Sequence, residues 1–377
     1  MSINIVHVVR QFMPSIGGME DVVSNIATLQ LEAGTFTPTV LTLNRLFTHS
    51  NNTLPITEKL NGIKIVRIPF FGSSRYPISL KALKYICSAD LVHVHGIDFF
   101  FDYFALTKLL HRRRLLVSTH GGFFHSDYAS SFKNFYFNSI TRTSAIAYDN
   151  VIATSENDSD IFSKVISPKK LITIENGVNI HKYRRVSSNI LTQNLLYFGR
   201  WSSNKALDKT LSVFRSLVNT QPQWRLTIAG REYDETVSSL SKIVRQHELD
   251  DFVTLIPNPT EEILSSLISD ASFFICLSRH EGFGLAAIEA MSAGLTPILS
   301  DIPPFRRLVE KSSTGAVINP NEIESATADI FKLYDRIKNN YIENQRSMER
   351  YVQQYDWREV VKKYTAVYEH ALAEKSR

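Results

Sequence analysis

The sequence predicts an α/β protein built from two doubly wound domains in tandem, each a mainly parallel sheet covered by helices on both faces. Three observations carry that expectation. Short runs that are apolar on both faces, as buried parallel strands are, alternate with stretches of helical periodicity almost from end to end. The alternation stops at a polar stretch, residues 181–194, and then restarts. The 377 residues suit two domains of ordinary size.

In order, the first half offers strands at residues 3–9, 39–43, 64–68, 91–95, 115–118, 150–154 and 171–174. Between them, apolar spacing of three and four predicts helices over 21–33, 80–88, 100–110, 131–147 and 156–165. After the 181–194 linker come strands at 195–198, 225–229, 253–256, 273–277, 297–299 and 316–318. Helices are expected over 206–219, 237–247, 261–269 and 285–293. Two helical stretches, 322–339 and 341–354, and a final one over 357–373 close the chain, with no internal repeat or low-complexity segment.

Composition narrows the class. With 44% hydrophobic and 21% charged residues, the chain is neither disordered nor collagen-like nor a coiled coil. Two cysteines, Cys87 and Cys276, make no disulfide framework, so a reducing cytoplasm is expected. The first residues lack a basic stretch followed by an apolar signal core, and no window approaches the roughly 18 to 20 apolar residues of a membrane span. The net charge of +5 is uneven: residues 1–190 hold 20 Lys/Arg against 13 Asp/Glu (+7), and residues 191–377 hold 22 against 24 (−2). That asymmetry predicts an anionic partner for the first half. Nucleic acid is not expected, because there is no RNP-type strand, zinc spacing or basic-region helix.

Three segments carry candidate chemistry. Gly17-Gly18 follows the first strand and opens a helix, where glycines admit close backbone approach and free N–H groups suit an anion. Glu20 and Asp21 are placed to favour that helix start electrostatically and by capping. Arg200 and Lys205, five apart on a loop after a strand of the second domain, can converge on a diphosphate, one as a planar fork and one as a compact charge. The third segment runs from Arg279 to Met291. Glu281 in its loop can accept hydrogen bonds from sugar hydroxyls, Gly282 and Gly284 expose the amides of a helix start, and Glu289 can hold a ribose diol. His93 and His95 share a strand face, but no third ligand lies near them in sequence, so no metal site is expected. Asp158 and Asp160, near a helix start, are assigned to capping.

Two carboxylates with seven residues between them, Glu281 and Glu289, around Gly-Phe-Gly-Leu make the sequence resemble the family 4 retaining glycosyltransferases and their Glu-x7-Glu motif. Gly17-Gly18, Ser118-Thr119-His120-Gly121, Ile174-Glu175-Asn176-Gly177-Val178, Gly199-Arg200 with Lys205, and Glu289-Ala290-Met291 extend the resemblance, in the family's order, over about residues 5 to 320. It implies the GT-B fold: two Rossmann-like doubly wound domains facing across a cleft. The first, acceptor-side, would span 1–185 with residues 356–377 packed back on it, and the second, nucleotide-sugar-binding, 190–355.

The resemblance also implies roles. Arg200 and Lys205 would bind the donor diphosphate, with Gly17 and Gly18 closing over it. Gly284 and Leu285 would present backbone groups to phosphate. Gly282, Phe283 and Glu289 would line the donor sugar and ribose. Glu281 and His120 would be the catalytic pair at the sugar. No metal and no other cofactor are implied. Where the family commonly has glycine after the lysine, this chain has Ala206, which puts that loop's backbone course in doubt.

The resemblance, narrowed by His7-Val8-Val9-Arg10-Gln11-Phe12 and Pro14-Ser15-Ile16-Gly17-Gly18, extends to bacterial exopolysaccharide mannosyltransferases. It implies GDP-mannose as donor and a polyprenyl-diphosphate-linked or other glycan acceptor. UDP-sugars as donors, a nucleotide-sugar epimerase and a non-catalytic basic module stay open as alternatives. Aromatic and basic clusters, Phe99 to Phe104 with Lys108 and Arg112-Arg113-Arg114, and Phe123-Phe124-His125 through Phe132-Lys133-Asn134 to Phe137, suggest docking on an anionic membrane. The protein is thus expected at the inner face of the plasma membrane as a peripheral enzyme.

Overall fold

The computed structural model describes residues 3–48, 52–74, 76–121 and 135–373. They form two compact units, residues 1–177 with 357–377, and residues 178–356. The division falls at Gly177/Val178 and Asp356/Trp357, earlier than the expected boundary near 185, because residues 178–186 contribute Val178, Ile180 and Tyr183 to the second core.

The first unit contains β1 (Ile3–Val8), β2 (Phe36–Leu43), β3 (Thr57–Leu60), β4 (Ile63–Ile68), a small hairpin of β5 (Phe71–Gly72) and β6 (Pro77–Ile78), then β7 (Leu91–His95), β8 (Arg114–Ser118), β9 (Asn150–Ala153) and β10 (Leu171–Thr173). Among the described residues its main sheet has the order β10-β9-β8-β7-β1-β2-β4-β3. All pairings are parallel except β3 with β4. The strand order reverses at β1 and β7, the place where doubly wound sheets open a crevice beyond their strand ends.

Period-two alternation sorts this sheet's residues by face. Val6, Val8, Val92, Val94, Leu115 and Val117 face a core closed by Phe100, Phe101, Phe104 and Phe162. Ile5, Leu91, Leu116 and Ile152 face the other way, against Val22 and Ile26 of the helix Gly18–Ala33 and Val360, Tyr364 and Tyr368 of the last helix, Trp357–Ala373. The same register carries His7, His93, His95, Ser118 and His120 onto this second face, nearer the strands' C-terminal ends.

The second unit contains β11 (Asn194–Trp201), β12 (Arg225–Glu232), β13 (Val253–Pro257), β14 (Phe273–Cys276), β15 (Thr296–Ser300) and β16 (Ala316–Ile318). They pair in parallel in the order β13-β12-β11-β14-β15-β16, the dinucleotide-fold arrangement with its reversal between β11 and β14. The helix Leu207–Thr220 buries Leu207, Leu211, Phe214, Leu217 and Val218 on that sheet, each large side chain contributing about 1.5 to 3 kcal/mol.

Three features depart from the periodicity. The helix Pro303–Ser312 was hidden by its two leading prolines, which break a helix interior but fit a first turn whose N–H groups are unpaired anyway. The helix expected over 100–110 divides at Thr107 into Phe99–Leu106 and Lys108–His111. From 131–147 a π-helical turn, Phe137–Thr141, runs into Arg142–Ala145, with residues 131–134 outside the described ones.

The membrane reading of the aromatic cluster needs correction. Phe99, Phe100, Phe101 and Phe104 are core residues, because the helix that carries them turns its aromatic side onto the sheet. What that segment exposes is aliphatic: Leu106 and Leu109 at 85% and Leu110 at 75%. Of the second cluster, Phe123, Phe124, His125, Phe132, Lys133 and Asn134 lie outside the described residues. No described helix is long and apolar enough to cross a membrane.

Candidate active site

In the second unit the predicted residues gather where the strand order reverses. Gly199 and Arg200 belong to β11 itself rather than to a loop, because the pairing with β12 continues through Trp201 and Glu232. The Arg200 guanidinium is exposed and lies 5.0 Å from the centre of the Tyr233 ring. The chain then makes a 3-10 turn, Ser203–Lys205, anchored by Ser203, whose N–H and hydroxyl donate to the two carboxylate oxygens of Asp234, each at 2.9 Å. Ala206 follows with φ 48° and ψ 49°, the left-handed conformation that glycine adopts most easily. The loop thus takes a glycine-type course without a glycine, which answers the doubt its sequence raised.

Lys205 and Glu281 meet there. Lys205 Nζ donates to Glu281 Oε1 at 2.6 Å, with only 17% and 14% of the two side chains exposed. The loops that carry them are joined just before this pair: Asn204 Nδ2 donates to the His280 carbonyl (2.9 Å), and Arg279 N–H donates to the Asn204 carbonyl (2.8 Å). These bonds help to place the two side chains, and truncating either member would leave a largely buried charge unmatched. Nearby, burial and then the Glu281 charge push the Cys276 thiol up to about 11, so this cysteine is an inert core residue.

Past Glu281, Gly284 caps the helix Leu285–Ala293 with φ 94°. It must be glycine twice over, for that φ and because a Cβ would come within 2.8 Å of the Phe305 ring. Gly282 is different: its φ is not left-handed and the space beside it is open. Leu285 is exposed at the helix start, whose first N–H groups have no intrahelical partner. Phe283, partly buried, packs edge-on against Tyr355 at 5.4 Å beside the core of this unit. Glu289, in the second turn, makes no hydrogen bond to a described residue; burial raises its carboxyl above the usual range, opposed by the charge of Lys182. Lys182 itself bonds Glu261 at 2.7 Å.

In the first unit, Gly17 and Gly18 open the helix Gly18–Ala33 beyond the end of β1. Gly17 is extended, and a Cβ there would meet the Glu20 carboxylate, whereas the space beside Gly18 is open. The expected capping by Glu20 does not occur: Glu20 Oε1 instead accepts from the Ser15 hydroxyl at 3.0 Å, and the helix has no side-chain cap.

His120 follows β8 with φ 50°, and its turn is fixed from below by Asp158. One oxygen of the buried Asp158 accepts from Thr119 Oγ1 (2.7 Å), Gly121 N–H (2.9 Å) and Thr154 Oγ1 (3.0 Å). Capping of the helix Glu156–Phe162 falls to Ser155, not to Asp158 as the sequence suggested; an aspartate three residues past a Ser N-cap is free to turn inward. His120 Nε2 lies 3.0 Å from His95 Nδ1, His95 Nε2 lies 3.1 Å from His7 Nδ1, and His7 Nε2 lies 2.9 Å from Gln30 Oε1. His93 stands alongside, between Tyr368 Oη (2.5 Å) and Ser118 Oγ (2.8 Å). Burial pulls His7 and His120 down to about 4, and His93 and His95 well below the ordinary histidine value, so all four are neutral at pH 7.

Sequence reasoning thus found His120 but missed His7, His95, Gln30 and Asp158 around it. His7, His93 and His95 also bring together the third imidazole that sequence spacing did not supply, their ligand atoms lying within 4.8 Å of one another. A period-two count across neighbouring strands would have grouped them, since His7 and His93 are direct register partners.

Two doubly wound units, with a Lys–Glu pair at one strand reversal and a glycine-opened helix beside a histidine cluster at the other, match the architecture that the sequence resemblance to a glycosyltransferase family implied. The comparisons agree. Residues 16–182 match the model of Glycosyltransferase Family 4, and residues 184–354 that of Glycosyl transferases group 1. The chain is 50% identical over 368 residues to the GDP-mannose:cellobiosyl-diphosphopolyprenol alpha-mannosyltransferase of Xanthomonas oryzae pv. oryzae, covering 98% of this chain and 97% of that one. It is 37% identical to the protein of the same name from Komagataeibacter xylinus, covering 98% and 94%. Among solved structures, sucrose-phosphate synthase from Thermosynechococcus elongatus superposes with TM-score 0.73 at 17% identity, covering 99% and 100% of the chains. Anabaena Alr3699/HepE in complex with UDP superposes with TM-score 0.74 at 16% identity, covering 98% and 100%. The chain belongs to the family 4 glycosyltransferases and has their GT-B fold.

Proposed function

We propose that the protein transfers a mannosyl residue from GDP-mannose, with retention of configuration, to a polyprenyl-diphosphate-linked oligosaccharide such as cellobiosyl-diphosphopolyprenol, in the assembly of a bacterial surface polysaccharide. The observation that carries this reading is the identity of 50% over nearly the whole of both chains with a relative named for that reaction. Arg200 and Lys205 bind the donor diphosphate and offset the charge that grows on it as GDP departs, Lys205 exchanging its Glu281 oxygen for phosphate. The amides at Gly284 and Leu285 meet the phosphates and Glu289 takes the ribose, while the open space beside Gly18 leaves room for a ligand at the strand ends of its own unit. Glu281 accepts hydrogen bonds from donor-sugar hydroxyls, and His120 meets the sugar near its reacting carbon. No side chain is assigned as nucleophile: the acceptor hydroxyl attacks on the face the diphosphate leaves, so positioning and electrostatics supply the rate. Neither a divalent metal nor another cofactor takes part, and activity lost to a chelator and restored by manganese would overturn that statement.

A screen of nucleotide sugars for thermal stabilisation tests the donor. A ligand at a hundred times its Kd adds about 2.7 kcal/mol, and GDP-mannose should give the largest shift. Product analysis with a lipid-diphosphate disaccharide then tests the transfer. A larger shift with a UDP-sugar would replace the donor, and conversion of the nucleotide sugar without acceptor would mark an epimerase.

The enzyme works at the inner face of the plasma membrane, where its acceptor lies. The exposed Leu106, Leu109 and Leu110, next to the exposed Arg112, support that placement: leucines enter the headgroup zone while the cation meets anionic lipid. Co-sedimentation with phosphatidylglycerol vesicles at physiological salt should be lost in the Leu106→Ser, Leu109→Ser double variant.

A further inference from the structure

The histidines behind His120 form a line, not a cluster of independent side chains. From the helix Gly18–Ala33 across three adjacent strands, the order is Gln30, His7 of β1, His95 of β7 and His120 just past β8. At every link one ring uses Nε2 and its neighbour Nδ1. A neutral imidazole has one N–H and one bare nitrogen, so a chain of such rings can hold only one direction of donation throughout. Gln30 presents its carbonyl oxygen to His7 Nε2, so His7 must carry its proton there and accept at Nδ1. His95 then donates from Nε2 and accepts at Nδ1, and His120 donates from Nε2.

We propose that Gln30, His7 and His95 are positioning residues for sugar transfer: their hydrogen-bond line fixes His120 as the Nε2–H tautomer, leaving Nδ1 a bare acceptor for a donor-sugar hydroxyl. This rests on the placement of His120 at the sugar given above. His120 Nδ1 has no hydrogen-bond partner among the described residues, so it is the nitrogen left for a ligand. The neutrality the line requires follows from its burial. The other groups facing it are His93 of β7, Tyr364 and Tyr368 of the last helix, Ser118 at the end of β8, and Asp158, whose charge acts on His120.

The line also gives His120 a pH response at a distance. A proton gained by His7 makes both its nitrogens donors. His7 Nδ1–H then points at His95 Nε2, His95 must move its own proton to Nδ1, and His120 must do the same. Its Nδ1 becomes a donor with no charge placed on His120 itself. A carboxylate at position 30 would favour that proton on His7, and an apolar side chain there would release the direction of the line.

Histidine-labelled full-length protein, observed by long-range proton–nitrogen-15 correlation, reads the tautomer without substrate. His120, identified with His120→Gln, should show a pyridine-type Nδ1 and a pyrrole-type Nε2 at pH 7.5. In Gln30→Leu the two tautomers should mix, with kcat down about tenfold and KM for the nucleotide sugar changed less than threefold. In Gln30→Glu the acid limb of kcat should lie a pH unit or more above that of the native enzyme measured alongside, with kcat at pH 8 within threefold of native. An Nδ1–H tautomer in the native protein, or a Gln30→Glu limb superimposed on the native one, overturns the proposal. So does purified protein holding one zinc ion that His7→Asn releases, since a metal would occupy the nitrogens of the line. Because the tautomer is read without donor or acceptor, the line can fail while mannosyl transfer stands, and the transfer can fail while the line stands.

Discussion

Both sheets are doubly wound and reverse their strand order once, yet they treat their C-terminal strand ends in opposite ways. The second unit sets a cation and a carboxylate beside the β11–β14 reversal, 2.6 Å apart, with a further guanidinium exposed to solvent. The first sets neutral imidazoles at β1, β7 and β8, buried and bonded to one another. A diphosphate needs charge that can change partner, whereas a sugar hydroxyl needs a fixed dipole of known direction. Within the proposed function, the charged strand ends of the second unit suit a diphosphate and the neutral ones of the first suit a sugar hydroxyl.

The sharpest way to break that comparison is to remove each kind of group. Glu281→Ala and His120→Ala should each abolish sugar transfer with the fold intact, and Lys205→Met should cut kcat by about 100 to 1,000-fold. The variants should separate on binding: Lys205→Met weakens GDP itself, while His120→Ala leaves GDP affinity within threefold, as titration calorimetry can measure. Native turnover in Glu281→Ala or His120→Ala would remove that residue from the site.

The next effect is on stability and weighs most on the first unit, where the four buried imidazoles outweigh Asp98, whose carboxyl burial raises to about 6 and which acts the other way. His7 and His120 have folded values near 4 against an unfolded 6.5, so the unfolded chain takes up their protons first as pH falls. Stability is full above pH 6.5 and is lost progressively down to about pH 4, on the order of 3 kcal/mol for His7 alone. His93 and His95 add in the same direction. Glu289, whose carboxyl is raised, gains a proton first in the folded state and so opposes acid unfolding of the second unit. Calorimetry between pH 7.5 and 5 should show the transition of the first unit falling faster than that of the second. Two transitions moving in parallel would mean that the imidazoles are hydrated.

How much of this was legible in the sequence follows the range of each signal. Strand and helix periodicities are local, and so were the glycine pair, the Glu281–Glu289 spacing and His120. The Lys205–Glu281 bond was not legible, because its members are 76 residues apart and meet only through the parallel pairing of β11 with β14. The line from Gln30 to His120 likewise needs the register of three strands. The aromatic run at 99–104 misled because composition alone cannot tell a ring that packs inward from one that meets lipid; the helix face decides, and it turned the rings in and Leu106 and Leu109 out. Asp158 misled for a similar reason, its capping position being taken by Ser155 one turn earlier.

Smaller effects test the backbone of the charged site. Gly284→Ala forces a Cβ into a left-handed residue and against the Phe305 ring, and should destabilise the second unit by about 2 to 4 kcal/mol. Denaturant unfolding followed through Trp201 and Trp224, both fully buried in that unit, measures it. A variant as stable as the native protein would show that the helix start can shift, and that its amides are not held for a ligand.

Ala206→Gly should have the smallest effect. Relief of the left-handed alanine is worth about 1 to 2 kcal/mol, while lost burial of the methyl and the greater freedom of unfolded glycine cost about as much together. Stability should therefore stay within about 1 kcal/mol of native, and GDP affinity and kcat should not move, because the turn already has the shape that glycine would give it. A rise in GDP Kd of more than tenfold would show instead that alanine stiffens the turn and holds Lys205 for the diphosphate. In that event the charged site would depend on a fixed backbone as much as the neutral one depends on its line of imidazoles.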